Sequence, residues 1–285
     1  METGAIVARA VEARSVTAPR STSDVPLLDI RNATIFRGST RVFNGLSLEI
    51  KQHEQVAILG PNGSGKTTLL KVINRELYPV ADRSSRVRIL GRSRWNVWEL
   101  RSHIGIVSHD LQTRYRDSTT AFDVVLSGYL SSIGTHGALA RRITPAQKAR
   151  AGTVMASLGI DDLAATPLRN MSTGQQRRCL LGRALVHEPD TLILDEPMAG
   201  LDLTASFDFL SRMRQLVTEG KNIVLVTHQL NEIPPEVERV ILIRAGTIVA
   251  DGPKAEVLTV ENLQKAYDTA IRLAKVDGYY LACPA

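Results

Sequence analysis

A glycine-rich segment of this chain has the composition of a binding site for a phosphate anion. Residues 60–68, with the sequence GPNGSGKTT, fit the pattern G-x-x-x-x-G-K-[ST]. Gly63 and Gly65 allow the backbone to curl so that consecutive N–H groups point at phosphate oxygens. Lys66 is expected to reach the β- and γ-phosphates, and the Thr67 hydroxyl to coordinate Mg²⁺. The alternative is a chance glycine-rich turn, but the segment follows an apolar strand and opens a helix, as phosphate binding requires. The predicted binding residues are Gly60, Asn62, Gly63, Ser64, Gly65, Lys66, Thr67 and Thr68.

Two adjacent acids much further along the chain are suited to handling the same phosphates. Asp195 and Glu196 follow the apolar run that begins at Thr191. Taken alone, this pattern is common and fits a strand that runs into a polar turn. Together with the phosphate loop, it predicts that Asp195 is a Mg²⁺ partner and that Glu196 is the base that activates the attacking water. Alternation along a strand is expected to point the two side chains to opposite sides.

The elements that must position these residues alternate between strands and helices. Residues 27–36 and 42–50 alternate apolar with polar side chains, which is typical of antiparallel strands. Short apolar runs predict further strands at 55–59, 86–90, 104–107, 191–194 and 223–226. Helices are predicted at 205–218 and across most of 121–166, outside a Gly- and Ser-rich interruption at 131–137. Residues 240–243 and 247–250 are predicted to form a hairpin. We therefore predict an α/β fold with a mostly parallel central sheet, an antiparallel β subdomain and a helical subdomain.

A third segment connects these features to a known family. Residues 171–177, with the sequence MSTGQQR, resemble the signature motif of the ABC ATPases, usually L-S-G-G-Q, with Met171 and Thr173 as departures. The resemblance covers about residues 27–258 and implies the ABC ATPase fold, which has a P-loop NTPase core. It also implies that Ser172, Gly174 and Gln175 touch the γ-phosphate of ATP held by a second copy. A serine hydroxyl and a glycine backbone at a helix N-terminus form an anion site, whereas the alternative is an ordinary helix cap.

Other motifs follow in the order that this family has. Residues 199–202, with the sequence AGLD, resemble the loop that crosses the dimer interface, with Asp202 as its acid. His228 at the end of an apolar strand resembles the switch histidine that contacts the γ-phosphate. Phe36 stands where the family places an aromatic ring that stacks on adenine, although it also fits a strand core residue. The implied catalytic residues are Lys66, Glu196 and His228, and the implied metal ligands are Thr67 and Asp195.

One position departs from the family in a way that affects the metal site. In the segment 104–110, His109 occupies the place of a glutamine that supplies a Mg²⁺ oxygen. Imidazole is a poor ligand for Mg²⁺, so water, Asp110 or Gln112 is expected to take over that role. Together with residues 126–134, this departure resembles a branch that groups predicted metal or molybdate transport ATPases with proteins labelled as photorepair factors.

The resemblance implies an ATP-binding and ATP-hydrolysing subunit of a transporter. Such a subunit dimerises around two ATP molecules and works with separate integral membrane permease subunits, usually in an importer. The alternative class is a soluble ABC ATPase that acts on nucleic acid or another macromolecule. Its support is a run of basic residues among which Trp95 and Trp98 are interleaved. The basic residues are Arg83, Arg86, Arg88, Arg92, Arg94 and Arg101. We favour a solvated strand edge and a short helix whose tryptophans pack inward, so nucleic acid is not an expected partner.

Composition and boundaries complete the prediction. The 285 residues carry 35 Lys and Arg against 29 Asp and Glu, a surplus of +6 that favours contact with phosphates or with an anionic membrane face. The two cysteines form no disulfide framework, and no apolar run is long enough for a membrane span, so we expect a cytoplasmic chain held peripherally at the inner face of the cell membrane. We predict a disordered extension at 1–26, with a transit peptide as the alternative. The ATPase domain is expected at 27–258, with its helical subdomain at about 110–178, and a helix and short strand at 259–285.

Overall fold

The computed structural model describes residues 25–132 and 141–285, with the backbone alone of His109. Nearly all of the predicted N-terminal extension, and residues 133–137 of the predicted interruption, therefore lie outside the described residues. In chain order, the elements are β1 (Leu28–Arg37), β2 (Thr40–Ile50), β3 (Val56–Leu59), α1 (Lys66–Ile73), β4 (Arg86–Ile89), α2 (Val97–His103), β5 (Ile104–Ser108), α3 (His109–Thr113), α4 (Ala121–Leu130), α5 (Pro145–Ser157), α6 (Thr173–Leu185), β6 (Thr191–Asp195), α7 (Leu203–Thr218), β7 (Asn222–Thr227), β8 (Arg239–Arg244), β9 (Thr247–Pro253), α8 (Lys254–Val257), α9 (Val260–Tyr267), β10 (Ile271–Val276) and β11 (Tyr279–Pro284).

The central sheet brings the phosphate loop and the acids to one edge. Its strand order is β5-β6-β7-β3-β8-β9, and all neighbours are parallel except β8 and β9. Every side chain of β3 and β7 is buried, as expected for a sheet that is covered on both faces. Leu59 pairs with Thr227, and Asp195 pairs with Val226, so the carboxyl ends of β3, β6 and β7 lie side by side. Ligands bind at this end of open α/β sheets. The predicted mostly parallel sheet is confirmed.

A separate antiparallel sheet lies against the phosphate loop. Its order is β2-β1-β4, with Leu28 opposite Ile50 on one side and Ile89 on the other. Its buried side chains form one apolar cluster with those of β3 and α1. The Phe43 ring of β2 packs against Gly65 of the loop. The predicted antiparallel lobe is therefore confirmed.

Helices α4, α5 and α6 pack together on the other side of the fold. Val125 of α4 and Val154 of α5 both lie within 4 Å of the position that a Cβ atom on Gly182 of α6 would occupy. Thr144 begins α5 with a complete capping box, in which its hydroxyl accepts from the Gln147 N–H at 3.2 Å. Within residues 25–132 and 141–285, no helix is both long enough and apolar enough to cross a membrane.

The two tryptophans of the basic run have different environments. Trp95 packs against the apolar cluster, and its indole N–H donates to the Ile89 carbonyl at 2.8 Å. Trp98 is 66% exposed. The prediction that both pack inward is wrong for Trp98, because Leu100 is the residue that α2 buries.

Candidate functional site

Two glycines of the phosphate loop are required by the packing around them. Gly65 has φ of 112°, and a Cβ atom there would lie 2.8 Å from Cζ of the Phe43 ring. A Cβ atom on Gly60 would lie 2.1 Å from the carbonyl oxygen of Ile243 in β8, which is closer than any real contact. Gly60 therefore allows β3 to approach β8, a packing role that the sequence pattern does not reveal. Gly63 also has a positive φ, of 79°.

Lys66 is held in place by the loop from which it projects. Its ammonium donates to the carbonyl oxygens of Gly60 at 2.7 Å and Pro61 at 3.1 Å. The same nitrogen lies 3.7 Å from Oε1 of Glu196. Burial lowers the pKa of Lys66, and the charges of Glu196 and Asp195 oppose that shift. The loop thus presents a buried cation beside the two acids.

Asp195 has an oxygen that the fold leaves without a partner. Oδ1 of Asp195 is buried and accepts no hydrogen bond from the described residues. The buried hydroxyl of Ser64 also has no hydrogen-bond partner among the described residues. Burial, followed by the charges of Glu196 and Asp110, raises the pKa of Asp195 to about 6. Thr67, Asp110 and Asp195 line one cleft of about 390 Å³. Buried polar atoms without partners are costly, and Mg²⁺ takes oxygen ligands, so these groups fit a phosphate and its Mg²⁺.

Glu196 is positioned by a backbone feature that the sequence does not show. It follows the end of β6 with φ of 47°, in the left-handed region, while its N–H donates to the Val226 carbonyl at 2.8 Å. Strand alternation therefore does not set its direction relative to Asp195, because Glu196 is not in the strand. Its Oε2 lies 2.6 Å from Nδ1 of His228. The carboxylate of Glu196 is thus placed between His228 and Lys66.

The signature residues form a satisfied helix cap within their own chain. The Ser172 hydroxyl accepts from the Gln175 N–H at 3.3 Å, and the Gln175 side-chain oxygen accepts from the Ser172 N–H at 2.9 Å. A Cβ atom on Gly174 would lie 3.0 Å from Cβ of Ala205, so Gly174 also lets α6 approach α7. Within one chain, Ser172 and Gln175 therefore act as the ordinary cap that was the alternative interpretation.

Asp202 lies with the signature residues. Its Oδ1 accepts from the Ala205 N–H at 2.8 Å and thereby caps α7. Ser172, Gly174 and Asp202 line an exposed hollow of about 140 Å³. In the described part of the chain, no residue lines both this hollow and the cleft of Thr67 and Asp195. The structure thus gathers the predicted residues into a phosphate site, with Lys66, Thr67, Asp195, Glu196 and His228, and a signature site, with Ser172, Gly174, Gln175 and Asp202.

The comparison with known proteins decides the family. The family model described as ABC transporter matches residues 43–199, which is more than half of the chain. The chain belongs to the ABC transporter family. It is 36% identical over 228 residues to the cobalt import ATP-binding protein CbiO of Rhodobacter capsulatus, covering 79% of this chain and 77% of the relative. It is 31% identical over 248 residues to the manganese transport system ATP-binding protein MntB of Bacillus subtilis, covering 87% and 95%. The structure of cbiO1 from Clostridium perfringens, described as part of the ABC transporter complex cbiONQ, has a TM-score of 0.67 and 27% identity over 85% of this chain and 94% of the other.

Family membership confirms the predicted class of enzyme. The chain is an ATP-binding subunit of the ABC transporter type, and it hydrolyses ATP. The role of each site residue stays a prediction, and so does the resemblance to the branch that includes photorepair-labelled proteins.

Phe36 lies partly at the surface of this ABC ATPase, and only the backbone of His109 is described. Phe36 is 40% exposed on β1, so the alternative of a core residue does not hold, and stacking on adenine stays a prediction. The side chain of His109 lies outside the described residues. Of the groups suggested to replace it, Gln112 donates from Nε2 to Oε1 of Gln176 at 2.6 Å, whereas Asp110 lies in the cleft with Thr67 and Asp195.

Two buried charges behind the site were missed by sequence reasoning. Arg177 is 0% exposed and donates to the Ala199 carbonyl at 3.2 Å. Burial lowers the pKa of Arg177, and the charges of Asp195 and Glu232 oppose that shift. Glu232 is also buried and accepts a hydrogen bond from the Thr227 hydroxyl. No local signal in the sequence marks Arg177 as buried, because arginine is rarely fully buried unless it is paired.

Proposed function

We propose that this subunit dimerises around two ATP molecules and powers an importer through separate membrane permease subunits. The observation that carries the proposal is the separation of the two sites. The signature site is exposed and lies outside the cleft that holds Thr67 and Asp195. A second copy that presents its phosphate loop to Ser172 and Gly174 would bring the two sites together around one nucleotide.

In the proposed mechanism, the phosphate site binds ATP and prepares the attacking water. Lys66 and the loop N–H groups hold the phosphates, with the exposed Phe36 ring available to stack on adenine. Glu196 accepts a proton from the water, because its carboxylate is the acid fixed next to both Lys66 and His228. His228 orients that carboxylate through the contact between Nδ1 and Oε2.

Thr67 and Asp195 are the residues that would hold Mg²⁺. When bound there, Mg²⁺ would supply positive charge against the charge that develops on the phosphate oxygens. Asp195 suits this role because its Oδ1 is buried without a protein donor among the described residues. Asp110 lines the same cleft and is the carboxylate next to His109 in the sequence.

Transport is supported by what the relatives do. The relatives described above are named for cobalt import and for manganese transport, and cbiO1 is described as part of a transporter complex. We propose a homodimer, or a pair with a similar subunit, that binds permease subunits at the inner face of the cell membrane. Nucleic acid is not a proposed partner, since Arg86 and Arg92 of the basic run pair with Asp29 at 2.8 Å and Glu99 at 2.7 Å.

A charge placed in the signature site tests the dimer proposal. Ser172→Arg is expected to bind ATP as a monomer with unchanged affinity and to lose hydrolysis at least about 100-fold, because the signature serves the opposite copy. The control is Thr218→Arg, which adds the same charge at the exposed C-terminal end of α7. Equilibrium ATP binding and steady-state hydrolysis are measured for both. Loss of monomer ATP binding in Ser172→Arg, or hydrolysis equal to the control, would contradict the proposal.

A further inference from the structure

The C-terminal residues of the chain contact the segment that carries His228. Tyr267, the last residue of α9, donates its hydroxyl to the backbone carbonyl of His228 at 3.0 Å. Strand β11 packs on the helical turn Leu230–Glu232, which follows His228 by two residues. These contacts lie beyond residues 43–199, where the family model matches. The C-terminal part therefore has direct access to the histidine of the phosphate site.

We propose that Tyr267 is a positioning residue for ATP hydrolysis: its hydroxyl fixes the His228 backbone so that the imidazole stays on Glu196. The proposal rests on the roles assigned above to Glu196 and His228. His228 is held at two points, since its carbonyl accepts from Tyr267 and its Nδ1 lies 2.6 Å from Oε2 of Glu196. A shift of the backbone would move the ring away from a carboxylate that is itself fixed by β6 and β7.

The environment of Tyr267 makes its hydroxyl a persistent donor. Its ring packs against the large apolar cluster, and burial, followed by the charge of Glu196, raises the pKa of Tyr267. The phenol therefore stays protonated at any pH at which the enzyme works. An O–H to C=O hydrogen bond in such surroundings is stronger than one in water.

Both partners of this hydrogen bond are anchored to the rest of the fold. Arg244 of β8 donates to the Lys265 carbonyl of α9 and pairs with Asp268 at 3.2 Å, which fixes the end of the helix. On the other side, the Thr227 hydroxyl donates to Glu232 and accepts from the Gln229 N–H at 3.0 Å. Tyr267 thus connects the end of α9 to the segment that follows β7 through a single hydroxyl group.

Removal of that hydroxyl tests the proposal. In the full-length protein, Tyr267→Phe keeps the ring and is expected to lower kcat about five-fold or more, with the KM for ATP changed less than about two-fold. The control is Tyr280→Phe, which removes the hydroxyl of a buried tyrosine in β11 whose ring lies 5.5 Å from the Lys275 ammonium. The control is expected to keep the wild-type kcat.

A double substitution separates positioning from a general structural effect. If Tyr267 acts through His228, Tyr267→Phe adds no further loss of kcat in a His228→Ala background. The proposal is overturned if Tyr267→Phe has the kcat of Tyr280→Phe, if it raises KM instead, or if it lowers kcat equally in both backgrounds. Glu196→Gln is assayed in the same series, because wild-type turnover in that variant would overturn the proposed function itself, whatever Tyr267 does.

Discussion

The phosphate site and the signature site are both suited to anions, but the fold builds them differently. The phosphate site keeps two buried polar atoms without partners among the described residues, the Ser64 hydroxyl and Oδ1 of Asp195, and holds Glu196 in the left-handed region. The signature site satisfies its own groups, since Ser172 and Gln175 cap each other and Asp202 caps α7. Unpaired buried groups and backbone strain persist where function requires them. The phosphate site is thus prepared for a ligand within one chain, whereas the signature site gains a ligand only from another molecule.

The largest expected difference between the sites is in nucleotide binding. Lys66→Ala is expected to abolish the stabilisation by ADP, which for the wild type amounts to about 2.7 kcal/mol at 100 times the Kd. Ser172→Ala is expected to retain it, because ADP has no γ-phosphate for the signature to contact. Thermal unfolding with and without ADP measures both. Equal ADP stabilisation in Lys66→Ala and wild type would mean that the phosphate site is assigned to the wrong residues.

Removal of the Asp195 carboxyl group from the phosphate site is expected to raise the free energy of unfolding by an amount that depends on pH. Asp195 has a pKa of about 6 in the folded chain against an ordinary value of 3.8, so the folded state binds more protons between these values. Stability therefore falls as the pH rises through this window. In the absence of nucleotide and Mg²⁺, Asp195→Asn is expected to raise the free energy of unfolding by about 2–3 kcal/mol at pH 8 and by little below pH 4, while hydrolysis is lost.

The matched control for this gain is Asp202→Asn in the signature site. Asparagine caps helices about as well as aspartate, so the expected change is within about 0.5 kcal/mol at either pH. Urea unfolding at pH 8 and pH 4 compares the two variants. A loss of stability in Asp195→Asn at pH 8 would show that the unpartnered oxygen is not a cost to the fold.

The smallest expected difference separates the two serines. Ser172→Ala removes a helix cap and is expected to lower the free energy of unfolding by about 1 kcal/mol. Ser64→Ala is expected to leave it unchanged or to raise it without nucleotide, because the Ser64 hydroxyl is buried without a partner among the described residues and its removal relieves that cost. Denaturant unfolding of both variants decides the order. The reverse order would break the distinction between a satisfied site and an unsatisfied one.

Local patterns in the sequence were sufficient for the fold and for the family. The parallel strands were predicted from short apolar runs, because a strand that is buried on both faces has apolar side chains throughout. The antiparallel lobe was predicted from alternation, because a strand that is buried on one face alternates apolar with polar side chains. The phosphate loop and the signature were found because their spacing is set within a few residues of chain.

What the sequence did not show depends on contacts between distant residues. The left-handed turn at Glu196 is fixed by the Val226 carbonyl, and the requirement for glycine at position 60 by the Ile243 carbonyl. The inward packing predicted for Trp98 failed because Leu100 occupies the buried face of α2. The hydrogen bond from Tyr267 to His228 joins two elements that no local pattern relates.

The central claim is that two chains complete each other's ATP sites, and the mass of one variant tests it most directly. Glu196→Gln removes the base and leaves the binding contacts, so it is expected to accumulate with ATP bound. In sedimentation equilibrium with ATP and Mg²⁺, the account predicts twice the mass of the chain for Glu196→Gln and the single mass for Glu196→Gln with Ser172→Arg. A single mass for Glu196→Gln at saturating ATP, or the double mass when Ser172→Arg is also present, would contradict it.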